Sequence, residues 1–174
     1  MFISQLTKGD IPEISILLTE SVDFHHPWVS YPHTASDLEN YFTDTGPEGT
    51  ILFLVGLKSS GKFIGVMNLS RFAMGVWRTC ECGCAVGVRH SGHGYLAEAL
   101  RLLVRHAMSK LGMRRIEALV DPENVPSQRM LEAVGFRSEG VARSAIGDGD
   151  QRFDQIRWAI TAGDITGGIH IEGR

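Results

Sequence analysis

The sequence has few cysteines. Cys80, Cys82 and Cys84 stand at alternate positions, and an odd, clustered set excludes the disulfide framework of a small secreted domain. A basic excess is also missing. Lys and Arg number 17 against 20 Asp and Glu, a formal net charge of −3, so neither nucleic acid nor an anionic membrane surface is an expected partner. No apolar run approaches the roughly 20 residues of a membrane-spanning helix. The opening MFISQLTKGD has no basic segment followed by a long apolar one, so no secretion signal is expected and the compartment expected is the cytoplasm. Repeats, linkers and low-complexity tracts are absent as well. What remains is an ordinary globular composition, 43 % hydrophobic and 21 % charged over 174 residues, enough to bury one core. Glycine is plentiful at 20 residues, which suits tight turns and a phosphate loop.

Periodicity predicts the elements. Phe2 to Leu6 alternates as a short strand. Asp10 and Pro12 open a helix with Ile14, Leu17 and Leu18 on one face. An aromatic, histidine-rich loop, FHHPWVSYPHT, runs from Phe24 to Thr34, and Ser36 opens a short helix to about Phe42. Strands follow over Thr50–Lys58, Phe63–Phe72 and Trp77–Val88. Leu96 to Leu111 is an amphipathic helix, with Leu96, Leu100, Leu103, Ala107 and Leu111 on one stripe. Ile116–Val120 is a strand and Asn124–Val134 a helix. Arg137–Ile146 and Arg152–Ile160 are strands joined by the hairpin turn GDGD. This order implies one α/β domain around a mixed sheet. If Trp77–Val88 is a strand, the three cysteines share one face. That pattern reads as small side chains packing a sheet; a zinc site would draw ligands from turns and need a fourth, and a metal or redox role is the alternative.

Chemistry concentrates after Val86-Gly87-Val88. The join Arg89-His90-Ser91-Gly92-His93-Gly94-Tyr95 leads directly into the long helix. Such a join exposes backbone N–H groups at a helix start, and Gly92 and Gly94 let an anion approach closely. The loop lacks the Lys and Ser/Thr of a Walker loop. It also lacks the acidic ribose-binding residue of a dinucleotide fold.

R-H-S-G-H-G resembles the R/Q-x-x-G-x-G/A signature of the GNAT acyltransferase superfamily. Asp121 to Phe136, DPENVPSQRMLEAVGF, is similar to the block of its RimJ/RimL-like branch, which includes acetyltransferases acting on ribosomal-protein N-termini. Trp28, Pro32 and the Asp148–Trp158 hairpin resemble the same branch. The resemblance implies a single GNAT-like domain over residues 1–165, with a mixed, mostly antiparallel twisted sheet of about seven strands flanked by about four helices. The last four residues spell a protease recognition sequence used in expression vectors, so 166–174 is set aside as a cloned tail.

The resemblance also implies acetyl-CoA as co-substrate, with no metal. Its pyrophosphate would rest on the backbone from Arg89 through His90, Gly92 and His93 to Gly94, beside Tyr95. Its pantetheine arm would bond like an extra strand along Val86, Gly87 and Val88. Asn124 would hold the pantetheine or order a water, besides capping a helix. Many relatives place a proton-donating tyrosine where this chain has Leu131, and Ser127 is the nearest substitute. Glu81 and Glu117, on strands flanking the expected cleft, are candidates for general base. His25, His26, Trp28 and Tyr31 would line the acceptor pocket, where a histidine could equally serve as base.

The expected reaction is acetylation of an amine acceptor, first a protein N-terminal α-amine. An antibiotic, polyamine or amino acid is the alternative acceptor. Leu131 keeps open a non-catalytic CoA-binding module. A homodimer rests on family analogy alone.

Overall fold

A computed structural model describes residues 1–28, 32–43, 49–148 and 151–165. In chain order the elements are β1 (Phe2–Gln5), α1 (Ile11–Thr19), α2 (Val22–His25), α3 (Ala35–Thr43), β2 (Ile51–Gly56), β3 (Phe63–Ala73) and β4 (Thr79–Val86). Then follow α4 (Tyr95–Ser109), β5 (Arg115–Val120), α5 (Val125–Val134), β6 (Arg137–Asp148) and β7 (Gln151–Thr161). The sheet has the seven strands expected, in the order β1-β2-β3-β4-β5-β7-β6. Of its neighbouring pairs only β4 and β5 run parallel; the rest are antiparallel.

The fold is the one expected; the described residues hold five α-helices, the loop expected from Phe24 beginning with the helical turn α2. Two details are corrected. The cysteine strand is shorter than Trp77–Val88. Trp77 lies in the preceding turn at 72 % exposure, and Val88 opens a 3-10 turn to His90. Asp10 precedes α1 as expected, yet its carboxylate reaches back to the N–H and hydroxyl of Thr7 rather than capping forward. Tyr31, Gly149 and Asp150 of the hairpin turn, and the tail at 166–174 lie outside the described residues.

Strand alternation sends successive side chains to opposite layers. Phe53, Val55, Met67, Leu69, Cys80 and Ile116 pack beneath α4 and α5 with Leu100, Leu103, Ala107, Leu131 and Trp158. Leu54, Val66 and Ala85 point the other way, onto Ile11, Ile14 and Leu18 of α1 and Leu38 of α3. The stripe read on α4 is thus its buried face. Leu103 is fully buried, and truncating such a leucine to alanine costs roughly 2–5 kcal/mol. Among the described residues no helix is long and apolar enough to cross a membrane.

Candidate functional site

The parallel ladder between β4 and β5 is short. Its register pairs Thr79 with Arg115, Cys80 with Ile116 and Glu81 with Glu117, and then stops. Both strands continue, β4 to Val86 and β5 to Val120, so they splay. Gly87 donates its N–H to Ile64 of β3, which turns the peptide groups of alternate residues (Cys82, Cys84, Val86) toward the opening. The cleft is lined by Trp28, Cys82, Gly83, Cys84, Leu100, Ala118, Val120, Asn124, Ser127, Leu131 and Gln155, among others, with a volume of about 310 Å³.

At the C-terminal end of β4 the chain turns into α4. Gly94 is its N-cap residue with φ +76°, a left-handed conformation that a side chain makes costly. The first intrahelical bond runs from the Glu98 N–H to the Gly94 carbonyl at 3.2 Å. The N–H groups of Tyr95, Leu96 and Ala97 therefore have no helical partner, and the helix dipole adds partial positive charge there. His93 stacks on Tyr95 at 5.3 Å, with its Nδ1 bonded to the Ser91 carbonyl at 2.7 Å, leaving the glycine side of the turn open. Arg89 is 82 % exposed and reaches Glu20 only at 4.0 Å.

The stretch Val86–Val88, expected to bond the pantetheine, is already partnered within the protein. His25 Nε2 lies 2.8 Å from the Val86 carbonyl oxygen and 3.3 Å from its nitrogen. The hydroxyl of Ser21, itself donating to the Leu17 carbonyl, accepts the Val88 N–H at 3.0 Å. Gly87 bonds to β3. The edge without a strand partner lies further down β4, around Cys84. These bonds, and the part Ser21 takes in them, are not legible in the sequence, because only the docking of α1 and α2 against the strand end creates them.

The turn into α5 is built as read. Asn124 is buried and caps the helix, its Oδ1 accepting the Ser127 N–H at 3.2 Å. Such a cap is worth about 1 kcal/mol. It also sets Asn124 and Ser127 side by side on the cleft wall. Leu131 lies one turn on, 2 % exposed, shared between cleft and core.

The two glutamates sit elsewhere. They are paired neighbours across the last rung of the parallel ladder, on the face opposite Cys80 and Ile116, and neither lines the cleft. Glu81 meets Arg71 at 3.6 Å. Glu117 accepts from Arg115 at 2.6 Å and faces Arg157 at 3.9 Å, while Arg115 also grips Glu139 with both terminal nitrogens. Each carboxylate is thus paired with arginine and lies off the cleft lining. Of the acceptor-pocket residues, Trp28 lines the cleft, His26 is exposed, and His25 is spent on Val86. Burial lowers the His25 pKa from its ordinary 6.5, against a smaller opposing effect of the Val86 bond.

The three cysteines share a face as expected, Cys80 in the core and Cys82 and Cys84 packed against it. Burial pushes the Cys80 and Cys84 thiols up to about 12 and raises Cys82 well above its ordinary value, so these are poor nucleophiles. Among the cleft residues not foreseen are two from the last hairpin. Gln155 sits on β7, and Ile146 on β6 enters past an irregularity between Ala142 and Ile146.

Comparison with known proteins places this geometry. The family model described as an acetyltransferase (GNAT) domain matches residues 1–137. A probable N-acetyltransferase of Bacillus subtilis, YjcK, is 39 % identical over 88 residues, 51 % of this chain and 49 % of that protein. The [ribosomal protein uS5]-alanine N-acetyltransferase of Escherichia coli is 32 % identical over 107 residues, 62 % of this chain and 55 % of that protein. The chain thus spans about half the length of these two curated relatives. Among solved structures, Mycobacterium smegmatis RimJ in complex with CoA-disulfide superposes with a TM-score of 0.83 at 23 % identity, covering 95 % of this chain and 83 % of that one. Vibrio cholerae spermidine N-acetyltransferase SpeG gives 0.73 at 19 % identity, covering 92 % and 93 %. At such identities the structural likeness bears on fold alone. The family match spans the loop before α4 and the turn into α5, and this chain belongs to the family of GNAT acetyltransferase domains.

Proposed function

We propose that this protein transfers an acetyl group from acetyl-CoA to a primary amine, with the α-amine of a protein N-terminus as the first acceptor class. The observation that carries the reading is the splay between β4 and β5, opening beside a glycine-started helix. The residues present fit the donor. The unpartnered N–H groups at the start of α4 suit a pyrophosphate. The free β4 edge near Cys84 suits the amides of a pantetheine arm, and Asn124 faces it across the cleft. When bound, acetyl-CoA supplies an activated thioester.

The protein's own part is to orient and to manage protons. Holding amine and thioester in line supplies much of the acceleration. A β4 backbone N–H directed at the thioester carbonyl would stabilise its developing charge. The amine nitrogen bonds to the carbonyl carbon, the carbon–sulfur bond breaks, and the sulfur leaves with the electron pair. The Ser127 hydroxyl, in the cleft, would relay the proton: it gives its own to the leaving sulfur and takes up the one that the amine nitrogen loses. Neither arginine-paired glutamate is needed as base for an acceptor of low basicity. An α-amine, with a pKa of about 7.7–8, is substantially neutral near physiological pH, whereas a lysine near 10.4 is not.

Charge supports the same class. Among the described residues only one carboxylate, Asp121, lines the cleft, and its Oδ1 already accepts the Glu123 N–H at 2.8 Å. A polyamine would call for more. The relatives include enzymes named for both acceptor types, so the choice rests on this wall. The test is direct: purified protein is heated with and without CoA, then given acetyl-CoA and a panel of N-terminal peptides and small amines. At 100 times Kd the ligand should add about 2.7 kcal/mol of stability. No shift with millimolar CoA would end the donor reading. A shift without CoA release from acetyl-CoA across the panel would make the protein a CoA-binding module.

A further inference from the structure

Gln155 is a deeply buried polar residue, 4 % exposed, on a strand whose adjacent Ile156 and nearby Trp158 serve the core. It stands one residue past the last β5–β7 rung, Val120 with Ile156, and its side chain lines the cleft with Trp28, Asn124 and Ser127. A carboxamide carries two donors and two acceptor sites. Nε2 donates to the carbonyl oxygen of adjacent Asp154 at 2.9 Å. This bond fixes the sense of the amide, since the reverse would set oxygen against oxygen. It joins no two elements, so it does not account for burying a polar side chain here.

The oxygen is the informative end. Among the described residues Oε1 has no protein partner, yet it is not among the fully enclosed orphan atoms, of which Trp158 Nε1 is the one found. Oε1 therefore keeps access to solvent, and the cleft is the opening that this residue lines. By alternation Gln155 shares its face with Arg157, which reaches Glu117, and so lies on the side of α1 and α3, opposite the layer of α4. A donor entering over α4 and lying along β4 would present its thioester toward that face, where Trp28 and Gln155 form the wall.

We propose that Gln155 is an acceptor-binding residue whose Oε1 takes a hydrogen bond from the attacking amine and so selects primary over secondary amines. This rests on the acetyl-transfer reading above. A neutral primary amine has two N–H bonds. One is held by Gln155, aiming the lone pair at the thioester carbon; the other proton passes to the Ser127 oxygen as that hydroxyl gives its own to the departing sulfur. A secondary amine has a single N–H, which must serve both purposes. A neutral oxygen acceptor also suits the nearly uncharged wall.

The experiment compares wild type with Gln155→Leu, using a hexapeptide with a free N-terminal alanine and its N-methylalanine counterpart. Loss of one hydrogen bond should raise the alanine-peptide KM about fivefold to tenfold, leaving the acetyl-CoA KM within about twofold. The preference of wild type for alanine over N-methylalanine should narrow in the variant, which a purely structural role would not produce. Equal rises in both KM values, or an unchanged preference, would overturn the assignment. If Gln155→Leu fails to fold, Gln155→Met serves in its place. Calorimetric titration of the alanine peptide into each protein saturated with CoA separates the two readings. Weaker binding to the variant, with no wild-type turnover, would sink acetyl transfer and keep the contact. No binding to wild type would sink the contact itself.

Discussion

His25 holds the peptide of Val86 with a single ring nitrogen, 2.8 Å from the carbonyl oxygen and 3.3 Å from the nitrogen. One nitrogen cannot donate and accept at once, so the tautomer decides which of the two Val86 groups it bonds. The neighbouring α2 is thereby tied to the end of β4, directly before the turn into α4.

The first prediction follows from that bond. Burial is the larger influence on His25 and lowers its pKa below the ordinary 6.5. The unfolded chain then binds a proton more readily than the folded one, so stability rises with pH across this titration. The contribution is complete above about 6.5 and is lost as pH falls from there toward the lower folded value. His25→Gln keeps a donor without a titrating group. Denaturant midpoints measured from pH 8 to pH 5 should fall more steeply for wild type than for the variant; parallel curves would remove His25 from the pH response.

At Gly94 the cost of a side chain is conformational. A Cβ there would meet nothing within 4 Å, yet φ is +76°. Gly94→Ala should therefore cost about 1–2 kcal/mol of folding stability from the left-handed strain alone. It should also weaken CoA binding in calorimetry, as the α4 start shifts to relieve the strain. Unchanged affinity would place the pyrophosphate elsewhere.

Ser127 gives a split between binding and turnover. Its backbone N–H is used by the Asn124 cap, but its hydroxyl has no hydrogen-bond partner among the described residues, and the residue lines the cleft. Ser127→Ala should lower kcat by about tenfold or more, in the range of general acid catalysis, with CoA affinity nearly constant. Glu117→Gln should do the reverse, lowering the melting temperature by loosening Arg115 and Arg157 while kcat stays within about twofold. A kcat that drops with Glu117→Gln and not with Ser127→Ala would restore the glutamate as base.

The thiols offer a chemical check. With pKa values near 12 for Cys80 and Cys84, and Cys82 raised as well, almost no thiolate exists at pH 7.5. Iodoacetamide should alkylate the folded protein far more slowly than the urea-unfolded chain, by mass spectrometry. Rapid labelling of Cys84 in the native protein would mean that the cleft is wetter than the geometry implies.

Much of this was legible in the chain. The period of Leu96, Leu100, Leu103 and Ala107 marks α4 because one helical face must be buried, and Gly94 and Asn124 mark helix starts through local backbone chemistry. The resemblance of the DPEN block implies roles for Asn124 and Ser127 at the donor site, and both line the cleft. What the chain hid is tertiary. Glu81 and Glu117 read as free carboxylates because their arginines lie on other strands or two residues away on the same face. Val86 and Val88 read as open edge because Ser21 and His25 arrive from a helix some sixty residues earlier. Gln155 reads as one more polar residue of a hairpin until the end of the β5–β7 ladder turns it inward.

The parallel ladder of β4 and β5 has a mechanical consequence. Among the described residues the ribbon β1–β4 joins the ribbon β5–β7 through three paired positions, continued at one end by the Arg114 N–H on the Arg78 carbonyl at 2.7 Å. Side chains of α4 and α5 brace the seam from one layer, but the backbone stitching is narrow at its centre. Under tension the sheet would part along this line, like cloth along a dart. A donor lying in the slot would add a thread across the same seam, so occupancy and resistance to tearing would rise together.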